Sequence, residues 1–231
     1  MGGSGKGRAR SGKGVYMDRE KLLEQNIEKL KTGTTTVGLV CADGIIMASD
    51  RRATMGYFIA SKDVQKVFQV DEHLAMTVAG SVADAQAIVR LMQAECKLYR
   101  LRYGRPMTVK NASSLLSNLM YQYKWFPFFV QLLIGGTEGN KPEIYSLDPL
   151  GGVTEEKYTS TGSGSPMAYG HLETNYVREG SVKDNLKAAA RAITVAMARD
   201  VATGESVDVV TVTKAGFRRL EKAEVAKLLE S

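Results

Sequence analysis

The stretch Gly33-Thr34-Thr35-Thr36-Val37-Gly38-Leu39-Val40-Cys41-Ala42-Asp43-Gly44-Ile45-Ile46-Met47-Ala48-Ser49-Asp50 decides the fold. Two apolar, β-branched runs flank Ala42-Asp43-Gly44, the pattern of a strand, a tight turn and a second strand. The same stretch raises a chemical question. A threonine hydroxyl is a poor nucleophile until a base takes its proton. If the chain is cut between Gly33 and Thr34, a free α-amine appears on the nucleophile's own residue. Its unperturbed pKa of roughly 8 leaves a useful neutral fraction near pH 7. Threonine paired with its own terminal amine is a known form of covalent catalysis. Uncut, that nitrogen is an amide, and the chain would be a switched-off precursor. The four residues alone read equally as a turn entering a strand, since glycine favours turns and threonine favours strands.

Working outward, residues 1–14 are glycine, serine and basic residues, a composition that does not fold by itself. Asp18 can cap a short helix carrying Leu22, Leu23, Ile27 and Leu30, ended by Thr32-Gly33. The formal net charge is +6, and residues 1–16 carry four bases without an acid, while residues 17–33 balance. Only +2 remains on residues 34–231, which weakens a nucleic-acid reading of the folded part. The basic start has no apolar h-region, so it is not a secretory signal. No run reaches the roughly 20 apolar residues of a membrane span. The 231 residues, 44% hydrophobic, suit one domain with a sizeable core. Cys41 and Cys96 form no metal spacing, and there are only two histidines.

Downstream, strands are expected over 64–70, 74–79, 129–136, 143–148, 153–159, 207–213 and 216–220. Helices are expected from Gly80-Ser81, with Ser81 as N-cap and Asp84 three residues on, and from Thr108 to Lys124. Others follow near 166–178, over 181–202 with Ser181 and Asp184 as a capping pair, and near 223–229. Helices come in pairs rather than alternating with strands. That argues against a doubly wound parallel sheet and for antiparallel sheets with helices packed outside.

Several residues could carry chemistry. Asp50 ends the second strand, and Lys66 lies in the strand expected over 64–70. A lysine beside the new amine would lower its pKa by like-charge repulsion, and a carboxylate beyond would keep the lysine ionised. Read alone, the two are as well a turn carboxylate and a solvated lysine. Ala79-Gly80-Ser81 lies where a strand feeds a helix, where a free backbone N–H could stabilise an oxyanion; the glycine could equally serve the turn alone. Ser160-Thr161-Gly162-Ser163-Gly164-Ser165-Pro166 lacks the lysine of a phosphate loop, so nucleotide binding is rejected. Its hydroxyls suit a tight turn beside a reacting centre, or merely a loop. Asp200, at the end of the long helix over 181–202, opposes the helix dipole and so either has a specific partner or is solvated.

Six motifs in order, TTTVGLV after a leader ending in glycine, ASDRRATMG, KDVQKVFQV, MTVAGSVADAQ, STGSGSP and RDVATG, resemble those of archaeal-type 20S proteasome β subunits over about 200 residues. The resemblance implies an α+β, four-layer αββα sandwich, the N-terminal nucleophile hydrolase fold. It implies a propeptide over residues 1–33, removed when Thr34 attacks the Gly33 carbonyl, and an enzyme domain over 34–231. Carried over, Thr34 is the nucleophile, Asp50 and Lys66 are the acid and lysine, and Gly80 supplies the oxyanion N–H. Ser163 and Asp200 support the nucleophile, and Thr203 keeps a hydroxyl where the family typically has serine. Ala53, Val64, Phe68 and Val78, with Val82 nearby, match an apolar specificity pocket, which implies cleavage after hydrophobic residues. Thr54, Gly80 and Val82 match positions whose backbone pairs with an extended peptide.

The implied partners are other β subunits in a seven-membered ring, α-subunit rings stacked outside, a regulatory AAA ATPase acting through the α ring, and unfolded protein substrates. The setting implied is cytoplasmic, with no cofactor or metal, no nucleic acid and no membrane. Alternatives remain: a bacterial HslV-like relative, told apart by sixfold rather than sevenfold rings, or a scaffold subunit that never exposes Thr34. Nucleic-acid binding through the basic leader would have only Tyr16 as an aromatic before the cut.

Overall fold

A computed structural model of the chain describes residues 33–139 and 141–230. The helix expected around Leu22 and Leu30 lies outside the described residues.

The opening stretch folds as read. Strand β1 (Thr35–Cys41) turns at Ala42-Asp43 into β2 (Gly44–Asp50), with Cys41 opposite Gly44. Every residue of both strands is buried. A strand covered on both faces needs apolar residues at odd and even positions alike, which is why the two runs show no polar alternation.

A short hairpin follows, β3 (Ala53–Met55) and β4 (Phe58–Ser61), which the sequence reading missed. It pairs only with itself and leaves Met55, Tyr57 and Phe58 exposed, so no core-facing alternation marks it. Then come β5 (Val67–Asp71), β6 (Leu74–Gly80), α1 (Val82–Tyr103) and α2 (Val109–Gln122). Strands β7 (Val130–Glu138), β8 (Lys141–Leu147), β9 (Val153–Glu156) and β10 (Tyr158–Gly162) lead to α3 (Ser165–Asn175) and α4 (Val182–Met197). Strands β11 (Val207–Thr213) and β12 (Gly216–Arg219) and helix α5 (Lys222–Glu230) close the described chain.

Two five-stranded antiparallel sheets result, ordered β10-β1-β2-β11-β12 and β5-β6-β7-β8-β9. Three apolar layers hold them. Ile45, Met47, Val67, Ala75, Leu133, Ile144, Val210 and Val212 fill the space between the sheets. Val37, Leu39, Ile46 and Ala48 turn the other way, onto Leu172 of α3 and Ala189 and Ile193 of α4. On the far side, Met76, Val78, Leu132 and Ile134 pack on Ile88 and Met92 of α1 and Leu116 and Met120 of α2. The molecule is therefore an α+β, four-layer αββα sandwich. Each fully buried leucine, isoleucine or methionine contributes about 1.5–3 kcal/mol.

Cap chemistry sets the helix starts. Ser81 accepts from the Asp84 N–H, and Ser181 with Asp184 forms a reciprocal capping box. Asp84 also accepts from the Phe129 N–H at 3.0 Å, tying the start of α1 to the strand beside it.

Three boundaries are corrected. The strand expected over 64–70 begins only at Val67, so Lys66 lies in the loop before it. The strand expected over 153–159 is two strands, which belong to different sheets. The helix expected over 181–202 ends at Met197, so Asp200 lies in the turns beyond it. Cys41 and Cys96 are buried free thiols, each pushed up to about 12, chiefly by desolvation.

Candidate active site

Thr34 immediately precedes β1 and is almost wholly buried. Gly33 is joined to it, so the Thr34 nitrogen is an amide. The Thr34 hydroxyl donates to the Gly33 carbonyl oxygen at 2.7 Å. Gly33 is fixed on two sides. Its N–H donates to Thr54 Oγ1 of β3 at 3.1 Å. A Cβ on residue 33 would lie 1.5 Å from the Ala202 Cβ, so no other side chain fits there without displacing the chain.

Two polar arms meet the Thr34-Thr35 segment. One centres on Asp50, at the end of β2 and wholly buried. Its Oδ1 accepts from Lys66 Nζ at 2.8 Å and from the Thr35 N–H at 3.0 Å. Its Oδ2 accepts from the N–H groups of Arg52 and Gly204, each at 3.1 Å. Four donors meet the four lone-pair sites of one carboxylate, which is how a buried charge is tolerated. Lys66 is itself nearly buried, and desolvation pulls its pKa below the ordinary lysine value against the opposing pull of Asp50.

The other arm runs through hydroxyls. The Thr34 N–H donates to Ser163 Oγ at 3.3 Å. Ser163 Oγ donates to Asp200 Oδ2 at 2.5 Å, as does Thr203 Oγ1 at 2.5 Å. Thr35 Oγ1 lies 2.7 Å from Thr203 Oγ1. Each hydroxyl has one proton, and Thr203 gives its own to Asp200, so Thr35 is the donor to Thr203. The expected misfit between Asp200 and a helix dipole resolves as this arrangement.

A cavity of about 400 Å³ opens beside Thr34, lined by Gly33, Lys66, Gly80 and the predicted Ala53, Val64, Phe68, Val78 and Val82. Thr54 is not among its lining residues; it holds Gly33 instead. Gly80 ends β6 with φ +135, and a Cβ there would lie 2.0 Å from the Phe129 carbonyl oxygen, so glycine is required. The cavity wall is less uniformly apolar than expected, because Asp63, Gln65 and Gln86 also line it. These three escaped the sequence reading because nothing in their spacing distinguishes them from a solvated loop and helix face.

Other participants were also missed. Thr35 serves both arms, through its N–H and its hydroxyl, yet reads in sequence as one more strand threonine. Ala202 carries no chemical signal at all. Gly164 had one: it sits in the small-residue loop, and a Cβ there would lie 2.1 Å from Thr35 Oγ1. Among the described residues no group of three or more His, Cys, Asp or Glu could hold a metal ion, and no helix is long and apolar enough to cross a membrane.

Two stacked antiparallel sheets between helical layers, with a threonine at the mouth of the first strand, are the fold of the N-terminal nucleophile hydrolases. Residues 30–212 match the family model described as proteasome subunit. The chain is 52% identical to the proteasome subunit beta of Methanosarcina mazei over 210 residues, 90% of this chain and 96% of that one. It is 51% identical to that of Archaeoglobus profundus over 211 residues, 91% and 98% of the two chains. It is 50% identical to that of Methanocaldococcus vulcanius over 201 residues, 85% and 89%. The chain belongs to the proteasome subunit family, and among its members it groups with the β subunits of archaea.

Proposed function

We propose that the chain is the catalytic β subunit of a proteasome core particle, made as a precursor and then acting as a threonine-type endopeptidase. One observation carries this reading: the Thr34 hydroxyl lies 2.7 Å from the oxygen of the carbonyl it would attack, while the Thr34 N–H is bonded to Ser163 and the Thr35 N–H to Asp50.

In the first reaction Thr34 Oγ1 bonds to the Gly33 carbonyl carbon and loses its proton. The Gly33–Thr34 C–N bond breaks as the nitrogen gains a proton, leaving an ester and a free amine. Water hydrolyses the ester and releases residues 1–33. The flat, unhindered Gly33 favours close approach of hydroxyl to carbon. In the second reaction the new amine takes the Thr34 hydroxyl proton and Oγ1 bonds to a substrate carbonyl carbon. The peptide C–N bond breaks as that proton passes to the leaving amine, and water then hydrolyses the ester and restores Thr34. The Gly80 N–H stabilises the developing oxyanion. The Lys66 ammonium, kept ionised by Asp50, lowers the pKa of the amine so that more of it is neutral near pH 7. Ser163 and Asp200 hold that amine in line, and Thr203 orients Asp200.

Substrate would be an extended, unfolded chain paired through the backbone of Thr54, Gly80 and Val82, with one side chain in the cavity. Val64, Phe68, Val78 and Val82 favour an apolar side chain there, so cleavage after hydrophobic residues is expected. The assembly expected from the family is a seven-membered β ring between α rings, fed by an ATPase in the cytoplasm.

Intact-mass measurement of assembled particles tests the reading. Wild-type chains should begin at Thr34, whereas Thr34→Ala should assemble, keep residues 1–33 and lack peptide hydrolysis. Normal turnover of a hydrophobic fluorogenic peptide by that variant would refute it. Sixfold rather than sevenfold rings in electron micrographs would contradict the assembly.

A further inference from the structure

Asp208 lies on β11 opposite Ser49, and its side chain is 4% exposed. It plays no part in either arm at Thr34. Two arginines answer it from different elements: Arg51, just past β2, with Nη1 at 3.3 Å, and Arg219, the last residue of β12, through Nη1. Each arginine has a second partner. Arg219 Nη2 donates to the Val67 carbonyl oxygen at 2.7 Å. Arg51 Nε donates to Asp63 at 2.5 Å, and the Arg51 carbonyl accepts from the Val64 N–H at 2.9 Å.

Asp63 and Val67 bracket the loop that carries Val64, Gln65 and Lys66. Four residues of that loop, Asp63 to Lys66, line the cavity beside Thr34. Regular sheet pairing starts only at Val67, and before it the loop has two backbone ties, the Val64 N–H to the Arg51 carbonyl and the Val78 N–H of β6 to the Lys66 carbonyl at 3.0 Å. To these backbone ties two guanidinium groups that share one buried carboxylate add a side-chain hold at each end of the loop, on Asp63 and on the Val67 carbonyl. A planar guanidinium can hold two acceptors at fixed angles at once, which suits it to this bridging.

We infer that Asp208 is a positioning residue that clamps the 63–67 loop, through Arg219 at the Lys66 end and through Arg51 at the pocket end. The inference rests on the proposed catalytic role of Lys66 and the cavity. The division of labour is specific. Loss of the Arg219 hold frees the Val67 carbonyl and weakens the Lys66 end of the loop, which the Val78 N–H still ties, so that Lys66 shifts against Asp50 and kcat falls. Loss of the Arg51 guanidinium frees Asp63 and so loosens the wall next to Val64, raising KM for peptides with a large apolar side chain at the cleaved position, although the backbone bond of Val64 to residue 51 stays. Loss of Asp208 does both. A displacement of about 1 Å in a reacting group lowers the rate on the order of 10²-fold.

Asp208→Asn, Arg219→Gln and Arg51→Gln are to be compared as assembled, processed particles by hydrogen exchange of peptides covering residues 62–68 and by steady-state hydrolysis of peptides ending in leucine or alanine. Expected are faster exchange confined to 62–68 in Asp208→Asn, a kcat loss in Arg219→Gln, and a KM rise for the leucine peptide in Arg51→Gln. Unchanged exchange at 62–68, or exchange raised throughout the chain, would overturn the clamp. Equal effects of the two arginine variants on kcat and KM would overturn the division between them. A wild-type particle that hydrolyses neither peptide would sink the proposed activity, while the exchange measurement still decides the clamp.

Discussion

Two carboxylates flank Thr34, and they are built differently. Asp50 is wholly buried and meets a lysine and three backbone N–H groups. Asp200 is reached by the hydroxyls of Ser163 and Thr203 and by the Ala202 N–H at 3.2 Å. The Asp50 arm holds opposite charges together out of water. The Asp200 arm fixes the direction in which hydroxyl protons point. The contrast teaches that proximity to the nucleophile does not define a carboxylate's task; its donors do. Charge at Asp50 compensates another buried charge, so it cannot be removed quietly, whereas Asp200 can be changed with smaller electrostatic consequence.

The largest effect expected from this contrast is at Lys66. Lys66→Ala leaves Asp50 charged, buried and without the lysine that pairs with it. Breaking such a pair costs about 3–5 kcal/mol of stability. The proposed chemistry should also fall by about 10²–10⁴-fold, the range for losing a group that assists proton transfer. Chemical denaturation and single-turnover hydrolysis measure the two losses. A variant with wild-type turnover would remove the functional half of the comparison.

Asp200→Asn should come next. The amide oxygen can still accept from Ser163 and Thr203, so stability should change by less than the Lys66 variant while hydrolysis falls about tenfold, a loss of order 1.4 kcal/mol. If Asp200→Asn proved as destabilising as Lys66→Ala, the distinction between the arms would fail.

Titration sharpens the same point. Desolvation lowers the Lys66 pKa in the folded chain below 10.5, its unfolded value. Between the lowered value and 10.5 the unfolded chain binds more protons, so this group's contribution to stability rises with pH across that window. Hydrolysis that needs the charged lysine should fall in the same window. A pH–rate profile measures it, and Lys66→Arg, if it folds, should move the alkaline limb upward because guanidinium keeps its proton.

The smallest effect is expected at Thr203. Thr203→Ser keeps the hydroxyl that bridges Thr35 and Asp200 and should alter hydrolysis less than about threefold. Thr203→Val removes the hydroxyl and leaves Thr35 Oγ1 without its acceptor in a buried place, at about 1–3 kcal/mol. Thermal unfolding of the pair separates hydroxyl from methyl.

Much of this was legible in the sequence. The layered fold followed from paired helices between runs of strands, since element order survives errors of boundary. Lys66 falls in the expected strand because VQKVFQV is rich in valine and phenylalanine from Val64 on, whereas regular pairing with β6 starts only at Val67. Asp200 falls at the end of the expected helix because AMARDVA holds no glycine or proline to stop it before Gly204. The β3–β4 hairpin was missed because its apolar side chains face outward. Spacing along the chain could not bring Asp50 beside Lys66 or Asp200 beside Ser163. Both meetings depend on sheet register, and only the resemblance to a known family anticipated them.

The contact between Gly33 and Ala202 has a consequence for how sequences of this kind can vary. The two positions are far apart in the chain but share one small volume. A Cβ at 33 would lie 1.5 Å from the Ala202 Cβ but also 2.6 Å from its Cα and 2.9 Å from its carbonyl carbon, so shrinking residue 202 alone cannot admit it and glycine at 33 is held by backbone. In a double-mutant cycle Ala202→Gly should therefore recover only a small part of what Gly33→Ala loses, because the backbone contacts remain.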